Sequence, residues 1–266
     1  MTHRGKPLPV PSPELAAFLD RKAEEFNSPA FIERDPISVP HSFSLQQDIE
    51  ISGLFAAVFS WGNRTTIINK SNELMALMDR APYQFIRSHE EKDLKKMLSF
   101  KHRTFNTTDL LYFISFLKYH YTHFHSLEDA FLPFHYTSDM PMEKCLLHFH
   151  HRFFSMDEVP PRTAKHIPSP QRGSTCKRLN MYLRWMVRRD NRGVDFGLWK
   201  KLQPKNLICP IDLHVARISK KLGLIADQPL NWKLALALTD QLKKLDPLDP
   251  VKYDFALFGL GINKHF

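Results

Sequence analysis

Lys177 and Asp212 are the two residues of this chain whose types and settings, taken together, could do chemistry. A lysine amine becomes a nucleophile once it has lost its proton. A carboxylate beside it can accept that proton or stabilise positive charge that develops on a substrate. Lys177 lies in Gly173-Ser-Thr-Cys-Lys177-Arg-Leu-Asn180, and Asp212 in Pro210-Ile-Asp212-Leu-His214-Val. Each has a plainer role as well. Asp212 stands before an apolar repeat, where an aspartate caps a helix, and Lys177 is one of many cations able to sit in solvent or against a phosphate.

Those cations are concentrated. Between 162 and 205 there are twelve (Arg162, Lys165, Arg172, Lys177, Arg178, Arg184, Arg188, Arg189, Arg192, Lys200, Lys201, Lys205) against only Asp190 and Asp195. This window carries +10 in a chain whose total is +9, so the remainder is about neutral. Charge gathered in this way predicts a polyanionic partner, with double-stranded DNA or another nucleic acid first, although a solvated basic face has the same composition.

Several classes are excluded. No run approaches the roughly 20 apolar residues that span a bilayer, so no membrane partner is expected. The start, Met1-Thr-His-Arg-Gly-Lys-Pro, lacks the apolar core of a signal peptide, and the expectation is a reducing compartment such as the cytoplasm. Cys145, Cys176 and Cys209 are odd in number and widely spaced, which suits neither a disulfide framework nor a four-cysteine metal or iron–sulfur site. The clusters His120-x-x-His123-x-His125 and His148-x-His150-His151 complete no recognisable ligand set. No metal and no cofactor is expected.

The elements that must position the pair read as helices throughout. Residues 1–13 look like a loose arm with four prolines. A helix is predicted over 14–27, a loop through Pro29, Pro36 and Pro40, and a helix apolar on nearly every side over 47–61. Gly62-Asn63 breaks it, and a second begins at Arg64 and ends before Pro82. Further helices are predicted at 83–87, 90–98, 107–118, 126–134 and 141–154, with a proline-rich linker over 155–172. Ile211, Val215, Ile218 and Leu222 mark another, closed by Gly223, and Leu234, Leu238, Leu242 and Leu245 the next. Asp249-Pro250 reads as the cap of a last helix ending at Gly259-Leu-Gly261. With no strand alternation, the fold class is all-α.

Ile211-Asp212-Leu-His-Val-Ala-Arg-Ile-Ser-Lys-Lys-Leu-Gly resembles the Val-Asp-Thr-His-Val-x-Arg-Val-x-x-Arg-Leu-Gly stretch of the helix-hairpin-helix DNA glycosylases. Gly173-x-x-x-Lys177-x-x-Asn180 resembles that superfamily's Gly-x-Gly-x-Lys-x-x-Asn. Ser60-Trp-Gly-Asn-Arg-Thr-Thr-Ile-Ile-Asn-Lys70 resembles its Ser-x-Gln…Asn-Lys entry. The three come in the superfamily's order over about 45–261. The chain is also similar to an uncharacterised bacterial family marked by motifs that read here Pro40-His-Ser-Phe43, Trp61-Gly-Asn-Arg64 and Asp249-Pro-Val-Lys-Tyr-Asp254.

The resemblance implies a two-lobed helix-hairpin-helix DNA glycosylase-like fold, with a six-helix barrel-like domain at 45–205 and a second lobe from 1–44 plus 206–266. It implies base excision repair of an oxidised purine by a monomer acting as hydrolase and lyase. Lys177 would be the nucleophile and Asp212 the charge stabiliser. Asn63, Arg64, Arg172, Gly173, Ser174, Arg178 and His214 would meet DNA, and Trp61, Asp254 and Phe258 would form the base pocket. Two features depart from the pattern. The Leu-Pro-Gly-Val-Gly hairpin, whose amides hold a phosphate, is replaced by Ile167-Pro-Ser-Pro-Gln-Arg-Gly173. Lys177 and Asp212 are 35 residues apart, about twice the usual spacing, as in the archaeal 8-oxoguanine glycosylases. Those enzymes also carry an Asp four residues before an aromatic on the last helix, the spacing of Asp254 and Phe258. The alternatives are a non-catalytic binder of DNA structure or damage with the same fold, and a scaffold or an enzyme acting on an anionic small molecule.

Overall fold

The computed structural model describes residues 9–262; of the expected N-terminal arm, residues 1–8 lie outside the described residues. The described residues are all-α. They contain no strand, only one isolated bridge between His102 and Phe105.

Ser12 opens α1 (Pro13–Phe26) by accepting the Leu15 amide, with proline at the first helical position. The proline-rich stretch after it, expected as a loop, contains a single helical turn, α2 (Pro29–Ile32), and two 3-10 turns at Pro36–Ser38 and Pro40–Ser42. Prolines start each of these, because the fixed φ suits a first turn.

The centre is α3 (Gln46–Phe59), buried on every side from Ile49 to Phe59. Around it pack α4 (Arg64–Leu77), α5 (Pro82–Ser88) and, later in the chain, α9 (Lys177–Val187). Glu50 is buried in this core. It accepts from the Tyr121 and Ser126 hydroxyls, the Leu127 amide and the Trp199 indole at 2.6–2.9 Å, so its burial is matched by donors.

A short α6 (Glu91–Lys95) precedes α7 (Thr107–His123), which runs five residues past its expected end at 118. The stretch expected as a helix at 126–134 is a 3-10 turn, Leu127–Phe131, started by the Ser126 side chain. After α8 (Met142–Phe153), the expected linker carries two more 3-10 turns, Pro161–Lys165 and Pro170–Arg172.

The chain closes with α10 (Leu213–Lys221), α11 (Trp232–Lys243) and α12 (Tyr253–Ile262). Gly223 takes a φ of 70° after α10, the conformation a helix C-terminus asks of glycine. Gly259 and Gly261 do not end α12 as the sequence predicts; they lie within it. A Cβ at Gly259 would sit 2.2 Å from the Phe26 ring, so the missing side chain is what lets α1 and α12 pack closely. The α12 helix also packs on α10, and one continuous buried cluster joins these helices to the α3 core.

The basic window is not a continuous exposed face. Among the described residues, six of its twelve cations make ion pairs. Arg184 and Arg188 are buried, and Asp195 binds both. Arg188 also reaches Asp190 and Asp249. Asp249 therefore spends its carboxylate on Arg188 and not on the helix cap expected of it, and a 3-10 turn, Pro250–Lys252, leads into α12.

Candidate active site

Three elements bring Lys177 to its place. Gly173, at φ 74°, ends the turn at Pro170–Arg172, and its carbonyl accepts the Trp232 amide at 3.2 Å. Ser174 Oγ accepts the Cys176 amide at 3.1 Å, and Asn180 Nδ2 donates back to the Thr175 carbonyl at 3.0 Å. Cys176 is fully buried and left-handed, with φ 53° and ψ 29°, immediately before the helix. For a residue with a Cβ this costs on the order of 1–2 kcal/mol, and the surrounding hydrogen bonds must hold it. Lys177 is the first residue of α9.

Asp212 is the N-cap of α10. Its Oδ1 accepts the His214 and Val215 amides, both at 2.9 Å, while its Oδ2 accepts from Lys177 Nζ at 2.7 Å. Capping and pairing are thus shared between the two oxygens of one carboxylate. Burial disfavours its charge, but the Lys177 charge and hydrogen bond and the Val215 amide overcome this and hold its pKa below the ordinary value.

The pair opens into a cavity of about 960 Å³, within the size range of small-molecule sites. Lys177, Met181 and Arg184 line it from one face of α9, spaced four and three residues apart. Asp254, Phe258 and Gly261 do the same from α12. Phe258 is half-buried, with Arg64 5.4 Å and Lys177 Nζ 5.9 Å from its ring centre, and Phe31 meets it edge-on. Trp61 lines the cavity after α3, with the Arg103 guanidinium stacked on its ring at 4.3 Å. Gly62 permits that approach, since a Cβ there would lie 2.2 Å from Arg103 Nη1.

The other expected residues divide. Arg64, Ser174 and His214 line the cavity, and His214 is exposed. Asn63 is beside it but serves as the N-cap of α4, accepting the Thr66 amide at 3.1 Å. Arg178 lines the cavity, yet its guanidinium donates to the Val58 and Lys165 carbonyls, fixing α9 against the end of α3. Burial lowers its pKa. Arg172 and Gly173 are exposed and lie outside the lining.

Asp254 is in the wall, buried and bonded to Arg184, which also donates to Asp195 at 3.2 Å. Burial pushes the Asp254 pKa up to about 6, against the pull of Arg184 and Lys177. Burial also works against charge on Arg184, but Asp195, Asp254 and Asp35 raise its pKa. Sequence reasoning missed Arg184, Arg103, Phe31 and Asp35 as parts of this region. The i, i+7 relation of Lys177 to Arg184 was the available signal for one of them; nothing local marks the others.

The chemistry open to this arrangement is that of an amine whose proton has an acceptor 2.7 Å away, next to aromatic faces and cations able to hold a planar, anionic-backboned ligand. Among the described residues no cluster of His, Cys, Asp or Glu could hold a metal ion, and no helix is long and apolar enough to cross a membrane. All three cysteines are free and buried.

Residues 35–263 match the family model described as "Protein of unknown function (DUF2400)". The chain belongs to this family. The match covers the whole cavity lining except Phe31 and carries no activity with it. Comparison with curated proteins and with solved structures found no match.

Proposed function

We propose that the protein is a DNA glycosylase with an associated lyase step, removing a damaged base held in the cavity. The observation that carries this reading is the 2.7 Å contact of Lys177 Nζ with an Asp212 carboxylate, at the starts of two helices, in one cavity with Trp61 and Phe258. A base must leave the duplex stack before its glycosidic bond can be reached, and the aromatic faces with Arg64 offer it a place to stack.

Lys177 reacts as the neutral amine, its proton given up to solvent before attack, and adds to C1′ while Asp212 stays ionised. The C1′–N bond breaks, and its electron pair leaves with the base. Positive charge that builds on the sugar is stabilised by the adjacent carboxylate. Opening of the sugar gives a Schiff base on Lys177. Loss of the C2′ proton then expels the 3′ phosphate and nicks the strand. The motif resemblance around Lys177 and Asp212 makes an oxidised purine the first substrate to test. Borohydride should trap a covalent adduct on an 8-oxoguanine duplex. A protein giving neither adduct nor base release on any lesion is not a glycosylase.

A second reading, a non-catalytic binder of DNA structure or damage, draws on the same contact. A lysine closed in an ion pair is a stable charge that recognises phosphate without chemistry. This reading expects salt-dependent DNA affinity that Lys177→Ala changes only by the loss of one charge.

A further inference from the structure

Asp35 is a carboxyl in the cavity wall for which the excision chemistry has no use. It is 5% exposed, at the N-cap of the turn Pro36–Ser38, where Oδ1 accepts the Ile37 amide at 3.1 Å. Other buried acids are more fully matched. Asp195 and Asp254 bind arginine, Asp109 meets Arg162 and His166, and Glu50 collects donors from four sides. Among the described residues no ion pair reaches Asp35, and one amide is its hydrogen-bond donor. A carboxylate offers about four acceptor sites, so most of its capacity is left for a partner entering the cavity it lines.

Arg184, Arg64 and Lys177 act on Asp35 by charge without an ion pair to it, and Asp35 lines the same cavity as the Lys177–Asp212 pair and Phe258. Burial raises its pKa in spite of the Ile37 amide and those charges, so donors arriving with a ligand would relieve a standing cost.

We propose that Asp35 is a specificity-determining residue that accepts hydrogen bonds from a base edge bearing adjacent N–H donors, the ring N–H and 2-amino group of a 2-amino-6-oxopurine. This rests on the reading of the cavity as a base pocket. A site built around a buried acceptor rejects a ligand lacking the donor far better than an apolar pocket could, because the acceptor is left unpaired.

The test is duplex binding by the full chain. Three duplexes are used, carrying a non-cleavable 2′-fluoro-arabino nucleotide of 8-oxoguanine, the same nucleotide of 8-oxohypoxanthine, or a tetrahydrofuran with no base. Wild type should bind the first about tenfold or more tighter than the second. Asp35→Asn and Asp35→Ser, which both retain a cap for Ile37, should abolish that preference and leave tetrahydrofuran binding within about twofold. A preference that persists in both variants, a uniform loss across all three duplexes, or no preference in wild type overturns the assignment. A preference lost in the variants while wild type shows no base release would leave Asp35 as the reader and end the glycosylase reading. No binding to any duplex ends both.

Discussion

Asp212 binds Lys177 Nζ at 2.7 Å with one oxygen while its other oxygen caps α10 at 2.9 Å. Two substitutions separate these duties. Asp212→Asn keeps a capping oxygen and removes the charge. It should leave the melting temperature within about 2 °C, because a partly exposed pair contributes roughly 1 kcal/mol or less. Base release should nevertheless fall by about 100- to 1000-fold. Asp212→Ala should lose a similar rate and a further ~1 kcal/mol of stability with the cap. Calorimetry and single-turnover excision on the same preparations check both.

Arg184 is the buried bridge between Asp195 and Asp254. Arg184→Met leaves two carboxylates without their shared cation and should destabilise the fold by about 3–5 kcal/mol in denaturant unfolding. Adding Asp254→Asn should restore part of that loss, since Asp254 is the charge left stranded while Asp195 keeps Arg188. An additive double variant would show that the bridge is not coupled in this way.

Stability should fall with acid through two buried histidines, offset in part by Asp254, whose pKa of about 6 favours the folded state as it protonates. Burial lowers the pKa of His120 and of His166 to about 4, from an ordinary 6.5, although Asp109 pulls His166 the other way. The unfolded chain takes up these protons near pH 6.5 and the folded chain does not until about pH 4. The stability from each neutral ring is therefore present above pH 6.5 and lost as pH falls toward 4, by up to about 3 kcal/mol per histidine. Unfolding free energies measured from pH 7.5 to 4.5 should show this slope, and His120→Gln should flatten it.

The helices and their starts were legible because they rest on local chemistry. Ser12, Asn106, Asp212 and Asn231 are side-chain caps that precede apolar repeats, and each begins a helix. Such a signal placed Asp212 at a helix start, whereas the helix of Lys177 follows left-handed Cys176 with no side-chain cap to announce it. What lay beyond local reach was long-range pairing. Arg184 and Arg188 read as part of an exposed basic run, because their partners Asp254 and Asp249 stand 70 and 61 residues further on. Gly259 and Gly261 read as a helix end because glycines that let Phe26 and His214 approach from other helices look locally like ones that stop their own. Asp35, in a proline-rich stretch, gave no sign of the cavity it would line.

The most direct test is to trap the reaction of full-length protein with an 8-oxoguanine duplex using borohydride, digest the product and map the modified peptide by mass spectrometry. The expected result is a reduced sugar adduct on Lys177, absent from Lys177→Ala and strongly reduced in Asp212→Asn. An adduct on another lysine, or base release undiminished in Lys177→Ala, would contradict Lys177 as the nucleophile.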